Sequence, residues 1–258
     1  MSIQQVTAPA KMAGSLFAFM LDVFVALFRR PFQLKEFLQQ AWFIVTVTIV
    51  PTALVAIPFG AVIALQVGGL IQQFGAQSFT GSAAVLAVVR NAGPIATALL
   101  VAGAAGSAIA ADFGSRKIRE ELDAMMVLGI DPIQRLVVPR VLACMLVAVF
   151  LNGLVSVVGV AGGYVFNVVL QGGTPGAYLA SFTALAQLPD IYQGMFKALV
   201  FGFIAAIVAS YKGMNAKGGP KGVGDAVNES VVITFMLLFV VNFVVSAVYL
   251  QLVPPKGM

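Results

Sequence analysis

The fold class is decided by an apolar stretch in the middle of the chain. Residues 141–170 read VLACMLVAVFLNGLVSVVGVAGGYVFNVVL and contain no charged side chain. A membrane-spanning helix needs about 20 mainly apolar residues, and this stretch exceeds that length. Two more segments without a charge, 43–89 and 230–255, lie on either side of it. The sequence therefore predicts an all-α membrane protein.

The composition of the whole chain supports the same class and limits its chemistry. Of the 258 residues, 60% are hydrophobic and 10% are charged, whereas a soluble domain carries about 25% charged residues. The chain has no histidine and one cysteine, which excludes histidine-dependent catalytic triads, multi-cysteine zinc sites and internal disulfides. No phosphate-binding G-x-x-x-x-G-K-[ST] segment occurs. We therefore predict no catalytic residue, no metal site and no cofactor in this chain.

The apolar pattern predicts five membrane spans within a single domain, 1–258. The spans are expected at about 42–67, 83–111, 134–168, 193–211 and 230–251. Small residues recur every fourth position in several of them, for example Gly60, Ala64 and Gly68 in the first. Because such ladders allow helices to approach closely, we expect them to pack within the bundle, with a subunit interface as the alternative.

The region before the first span is predicted to form a further helix. Met12 to Phe28 is apolar apart from Asp22. We favour a helix lying in the membrane interface, because the run is short and an aspartate in mid-membrane is costly. A sixth span and a signal peptide are the alternatives. The expected organisation is an N-terminal interfacial region at 9–40 followed by a five-span bundle at 42–251.

The basic residues predict the orientation in the membrane. Most Lys and Arg residues precede the first span or lie between spans two and three and between spans four and five. The other connections contain no Lys or Arg, and Asp190 is their one charge. The positive-inside rule then places the N-terminus in the cytoplasm and the C-terminus outside. The net charge of +5 is explained by this orientation, so no nucleic-acid partner is expected.

The connection between spans two and three is unusually rich in charge. Ten of the 25 charged residues (15 Lys and Arg, 10 Asp and Glu) lie from Asp112 to Arg140. Ser115 can cap the start of a helix there, and Gly129 can supply the left-handed residue after its end. The apolar side chains of this predicted helix share one face: Ile118, Leu122, Met125 and Met126. It is either a solvated connector or a docking surface for a partner, and the apolar face favours docking.

Two basic residues lie in or beside predicted spans. Arg90 falls in span two and Lys197 near the start of span four. Each either extends its charge to the outer membrane interface or lines a polar cavity, and extension is favoured for Lys197. No carboxylate lies within the predicted spans, apart from Asp112 at an end, so a proton relay lacks its usual parts. If the chain transports a substrate, its energy is expected to come from another chain.

These motifs together resemble the MlaE/YrbE family, the permease subunits of ABC transporters that work with MCE-domain lipid-binding proteins. The similar segments are 90–94 (RNAGP), 103–108 (GAAGSA), 120–132 (EELDAMMVLGIDP) and Pro139-Arg140. The resemblance extends over nearly the whole chain, and the segment from Asp123 to Pro132 is its most specific part. It implies that the predicted helix is a coupling helix that docks into a cytoplasmic ABC ATPase dimer.

The resemblance also implies the positions of two sites. The coupling residues would be Ile118, Arg119, Glu120, Glu121, Leu122, Met125, Met126, Leu128 and Asp131. A lipid cavity, formed with a second permease subunit and opening toward MCE-domain proteins outside the cytoplasm, would include Ile63, Leu65, Gln66, Leu70, Phe74, Arg90 and Asn91.

One departure from the family pattern guides the choice of branch. Asn91 stands where the proteobacterial phospholipid branch usually has glutamate, so any role of that carboxylate does not transfer. We favour the actinobacterial, mycobacterial Mce-type YrbE subunits, which pair as heterodimers. This implies import of fatty acids or other lipids such as sterols, across a bacterial plasma membrane. The alternatives are a phospholipid-trafficking permease of the proteobacterial Mla type and a membrane anchor for an MCE assembly that transports nothing.

Overall fold

A computed structural model describes residues 3–29, 32–75, 79–170, 172, 174–182 and 186–253. The described residues form helices and connections, and no strand occurs among them. Five of their helices are long and apolar enough to cross a membrane, which confirms the predicted all-α class. We number these spans 1 to 5: Leu34–Ile71, Thr80–Ile118, Ile133–Val169, Leu188–Met214 and Gly219–Leu252. The chain is a multi-pass membrane protein.

The spans are built from several helical segments, and shorter helices lie between them. In chain order the α-helices are α1 Ile3–Ala26, α2 Leu34–Gln73, α3 Thr80–Ala87, α4 Gly93–Leu100, α5 Ser107–Ile118, α6 Glu121–Val127, α7 Val138–Leu170, α8 Pro175–Ala180, α9 Leu188–Met214 and α10 Gly219–Leu252. Wider π-helical turns occur at Val88–Ala92, Val101–Gly106 and Ile133–Val137. Such turns are frequent at functional sites, and the first of them contains Arg90 and Asn91.

The observed spans begin earlier than the sequence pattern predicts. Span 4 starts at Leu188 rather than near 193, because the residues before the apolar run cap the helix. The backbone amide of Gln187 donates a 2.7 Å hydrogen bond to Asp190 Oδ2, which is one half of a capping box. Asp190 therefore lies in the first turn of a span and not, as predicted, in a connection. The earlier start also places Lys197 further from the end of span 4 than predicted.

The contacts of the described residues group into two compact units. The first contains Met1–Ile44, Ala102–Cys144 and Phe203–Met236, and the second contains Val45–Val101, Met145–Gly202 and Leu237–Met258. The first unit contains α1 and α6, which is the helix of the charged loop between spans 2 and 3. The second carries α8 and the polar residues around Arg90.

The backbones of spans 1 and 3 make a close contact within the second unit. A Cβ atom at Gly60 would lie 1.9 Å from the carbonyl oxygen of Gly159. Ala64 and Gly68 are buried on the same face of span 1. This confirms packing within the chain for the predicted Gly60, Ala64 and Gly68 ladder, since glycine alone allows such an approach.

The N-terminal helix α1 packs against span 4 in the first unit. Ser15 Oγ and Tyr211 OH share a 2.6 Å hydrogen bond, and the rings of Phe19 and Tyr211 have centroids 5.6 Å apart. The opposite face of α1 is apolar and exposed: Phe17, Leu21, Phe24, Val25 and Phe28. A helix with one packed face and one exposed apolar face is typical of the membrane interface. The interfacial position stays a prediction.

Candidate functional site

The charged loop contains a helix, but this helix begins later than predicted. Span 2 continues without interruption through Ser115 to Ile118, so Ser115 lies inside a helix and the predicted cap is wrong. The chain turns at Glu120, whose φ of 59° is the one positive value among the described non-glycine residues. The loop helix α6 then runs from Glu121 to Val127. Ile118, Arg119 and Glu120, three of the predicted coupling residues, therefore form its joint with span 2.

The end of the loop helix follows the local signals in the sequence. Gly129 has a φ of 73°. Its amide bonds the carbonyl of Met126 at 3.0 Å, and the amide of Ile130 bonds that of Met125 at 2.9 Å. These are the two hydrogen bonds of a Schellman motif. Asp131 Oδ1 accepts a 2.9 Å bond from the amide of Ile133, which confirms Asp131 as the cap of span 3.

The exposed apolar side chains of the loop lie at the C-terminal end of α6. Leu122 is buried, so this predicted docking residue anchors the loop helix to the rest of the chain. Val127 and Leu128 are 88% and 75% exposed. We define the loop surface as the exposed apolar residues Met126, Val127, Leu128 and Ile130. An apolar patch on a charged connection is characteristic of a protein contact.

A mixed polar and apolar pocket of about 410 Å³ adjoins the loop surface. It is lined by Gln33, Met125, Gly129, Ile130, Asp131, Gln134 and Arg135. Arg135 donates a hydrogen bond to Gln33, and Arg29 lies 3.7 Å from Asp131. The segment before span 1 therefore contacts the end of the loop. Ile130 of the loop surface lines the same pocket.

An ion pair between a buried arginine and a partly exposed aspartate lies at the loop ends of spans 2 and 3, where sequence reasoning did not place one. Arg140 Nη2 donates to Asp112 Oδ2 at 2.5 Å. The Arg140 side chain is 2% exposed, and its guanidinium carbon lies 4.3 Å from the centroid of the Phe113 ring. The signal in the sequence is two opposite charges at the facing ends of consecutive spans.

A second polar cluster joins spans 2, 4 and 5 around Asp190. Arg90 Nε donates to Asp190 Oδ1 at 2.5 Å, and Tyr249 OH donates to the same oxygen at 2.7 Å. The Arg90 guanidinium also lies 5.2 Å from the centroid of the Tyr249 ring. Asp190 is buried, which is tolerated because three donors, Arg90, Tyr249 and the amide of Gln187, satisfy its carboxylate.

Lys197 belongs to the same cluster and is fully buried. Its Nζ donates to the backbone carbonyl of Arg90 at 2.8 Å, to Asn91 Oδ1 at 3.2 Å and to Ser246 Oγ at 2.8 Å. The expectation that Lys197 extends to the membrane interface is therefore wrong. Because span 4 begins at Leu188, Lys197 lies about 13 Å along the helix axis from its first residue, at 1.5 Å per residue.

The predicted cavity residues occupy two regions of the second unit. On span 1, Leu65, Gln66 and Leu70 are exposed and Ile63 is partly buried, and Phe74, just after the end of α2, is exposed. Arg90 and Asn91 belong to the polar cluster on span 2. An apolar pocket of about 470 Å³ is lined by other residues: Val89, Ser156, Val157, Val160, Ala161, Tyr164, Leu179 and Phe182. The assignment of the seven residues to a lipid cavity stays a prediction.

Comparison with known proteins identifies the family. A family profile described as permease MlaE matches residues 37–248. The chain is 40% identical over 192 residues to a "Probable ABC transporter permease protein" of Synechocystis sp., covering 74% of this chain and 73% of that protein. It is 34% identical over 239 residues to a protein of the same description from Rickettsia typhi, covering 92% of each.

A relative with a more specific name is the intermembrane phospholipid transport system permease protein MlaE of Haemophilus influenzae. It is 28% identical over 190 residues, which cover 73% of each chain. The matched profile includes the whole charged loop and most of the five spans. The chain therefore belongs to the MlaE family of ABC transporter permeases.

Proposed function

We propose that this chain is the membrane subunit of an ABC transporter that moves lipids and is powered by a separate ATPase dimer. The observation that carries the proposal is the loop surface, in which Val127 and Leu128 are 88% and 75% exposed. Apolar side chains at the end of a short, capped helix fit a groove in a partner protein. The ATPase is the partner that an ABC permease requires, because this chain has no phosphate-binding loop of its own.

The proposed orientation places the loop in the cytoplasm, where an ATPase has access to nucleotide. The basic connections support it, because Lys and Arg residues concentrate on the cytoplasmic side of a plasma membrane. The N-terminus then lies in the cytoplasm and the C-terminus outside. We place the chain in a bacterial plasma membrane on the same grounds.

The proposed assembly includes a second permease subunit. Span 1 has 22% of its most apolar stretch buried within the chain, and span 5 has 11%. Both spans therefore present large apolar surfaces to lipid or to another subunit. The proposed lipid cavity lies against such a subunit and includes Leu65, Leu70 and Phe74. A paralogous second subunit and extracytoplasmic MCE-domain proteins complete the assembly that the family resemblance implies.

The proposed cargo is a lipid. The printed name of the Haemophilus relative supports a phospholipid, whereas the resemblance to mycobacterial-type subunits supports a fatty acid or sterol. Lipid mass spectrometry of the purified complex separates these classes. Enrichment of one class over the surrounding membrane identifies the cargo, and a composition equal to that membrane contradicts selective binding.

Substitution of the loop surface tests the proposal. Val127→Asp with Leu128→Asp adds two negative charges to the apolar contact and should abolish co-purification of the ATPase, while membrane insertion continues. Lys217→Asp is the matched control, because it changes the charge by the same amount at an exposed position of the connection between spans 4 and 5. Equal recovery of the ATPase with the double variant and with this control would overturn the coupling role.

A further inference from the structure

We propose that Asp112 is a positioning residue that transmits movement of the loop helix to spans 2 and 3. It does so through a chain of ion pairs that runs from Glu121 through Arg116 and Asp112 to Arg140. The inference rests on the proposed function, because it assumes that an ATPase moves the loop surface.

The backbone alone connects the loop helix weakly to span 2. The last helical hydrogen bonds of span 2 end at Arg119 and Glu120. Glu120 then adopts a φ of 59°, a backbone conformation that residues other than glycine rarely adopt. The helical ladder restarts with the bond from the amide of Ala124 to the carbonyl of Glu120. A movement of α6 is therefore not passed on through a continuous helix.

Ion pairs bridge this joint. Arg116 Nη1 lies 3.4 Å from Glu121 Oε2, and Lys117 Nζ lies 2.9 Å from Asp123. Both cations are on span 2 and both carboxylates are on α6. Together with the 2.7 Å pair of Arg119 and Glu121 Oε1, these pairs hold α6 to the end of the span. Of the two cations, Arg116 also has a described ion pair that leads further into span 2.

Asp112 connects Arg116 to the buried end of span 3. Its Oδ2 atom lies 3.0 Å from Arg116 Nε and 2.5 Å from Arg140 Nη2. The same oxygen therefore serves one cation that contacts the loop helix and one cation that belongs to the next span. The chain of contacts is continuous from the first residue of α6 to the interior of the first unit.

The buried position of Arg140 makes this series of ion pairs sensitive to a displacement of Asp112. Arg140 is 2% exposed, and its Nη1 atom has no hydrogen-bond partner among the described residues. A buried cation that loses its carboxylate is strongly destabilised. Glu36 also acts on Arg140 electrostatically, but Asp112 accepts the hydrogen bond that Arg140 Nη2 donates. When Arg116 pulls Asp112 away, Arg140 is therefore expected to follow it. Displacement of the loop helix is thereby converted into displacement of span 3 relative to span 2.

The test measures lipid moved per ATP hydrolysed, in proteoliposomes that contain the complete complex and fluorescent lipid. Asp112→Asn should lower this ratio roughly tenfold, while ATPase association and the hydrolysis rate stay near their wild-type values. Asp112→Glu keeps the charge and should retain most of the coupling. This rescue separates transmission from simple packing, which the longer side chain would disturb more than asparagine does.

Two further variants complete the design. Glu121→Gln breaks the first link at a partly exposed position and should give the same loss without leaving a buried cation unpaired, so it decides the matter if Asp112→Asn does not fold. Asp123→Asn breaks the parallel pair with Lys117, which does not lead to Arg140, and should leave the ratio unchanged. Wild-type coupling in Glu121→Gln, or an equal loss in Asp123→Asn, would overturn the relay. A wild-type complex that binds no ATPase would overturn the proposed function as well.

Discussion

Lys197 Nζ donates a 2.8 Å hydrogen bond to the backbone carbonyl of Arg90, a residue 107 positions earlier in the chain. The lysine is fully buried, and a second 2.8 Å bond joins it to Ser246. A buried ammonium is stable only when its hydrogen bonds are satisfied. Lys197 on span 4 therefore links spans 2, 4 and 5, beside the pair of Arg90 and Asp190.

Removing the carboxylate of this cluster is expected to destabilise the protein. Asp190→Asn leaves Arg90 largely buried without a counter-ion, at a cost of about 3 kcal/mol. Thermal unfolding in detergent should show a lower melting temperature than wild type. Asp225→Asn is the control at an exposed position and should leave the melting temperature unchanged.

A compensating substitution tests the reason for that loss. Adding Arg90→Met to Asp190→Asn removes the unpaired charge, so most of the stability should return. A double variant as unstable as Asp190→Asn alone would show that the unpaired charge of Arg90 is not the cause of the lost stability.

The close contact of spans 1 and 3 predicts a large effect for a small substitution. Gly60→Ala places a methyl group 1.9 Å from the carbonyl oxygen of Gly159, so the helices must separate, at a cost of about 3 kcal/mol. Gly69→Ala lies in the same span and meets nothing within 4 Å. Unfolding temperatures should fall for the first variant and stay constant or rise for the second. Equal temperatures would contradict the observed packing.

The end of the loop helix predicts a local effect. Gly129→Ala forces a side chain into a left-handed backbone conformation, which costs about 1–2 kcal/mol. Hydrogen exchange of the amides in α6 should become roughly 5- to 30-fold faster. The control is Gly103→Ala, a helical position with open space around it, and it should leave exchange in α6 unchanged. Unaltered exchange with Gly129→Ala would show that the Schellman motif does not stabilise the loop.

The features that the sequence predicted well depend on local signals. The five spans follow from apolar length, the turn at Gly129 from the freedom of glycine at positive φ, and the cap at Asp131 from a side chain that reaches two residues ahead. Each signal is complete within a few residues or within one helix. The Gly60 ladder was also predictable, since small residues at helical spacing need a close neighbour.

The features that it missed depend on distant partners. Ser115 has the residue type of a cap, but span 2 continues through it and ends at Ile118. Hydropathy alone predicts Asp190 in a connection and Lys197 at the membrane interface, since it does not reveal that Asp190 caps span 4. The pair of Arg140 and Asp112 links residues 28 positions apart, and only the packing of spans 2 and 3 brings them together.

ATP-dependent lipid movement tests the central claim most directly. Proteoliposomes would contain this chain, its partner subunits and fluorescent lipid, with either the normal ATPase or one that binds but does not hydrolyse ATP. The proposed function predicts that lipid moves with the normal ATPase and stops with the deficient one. Lipid movement at the same rate with both would contradict an ATP-driven permease.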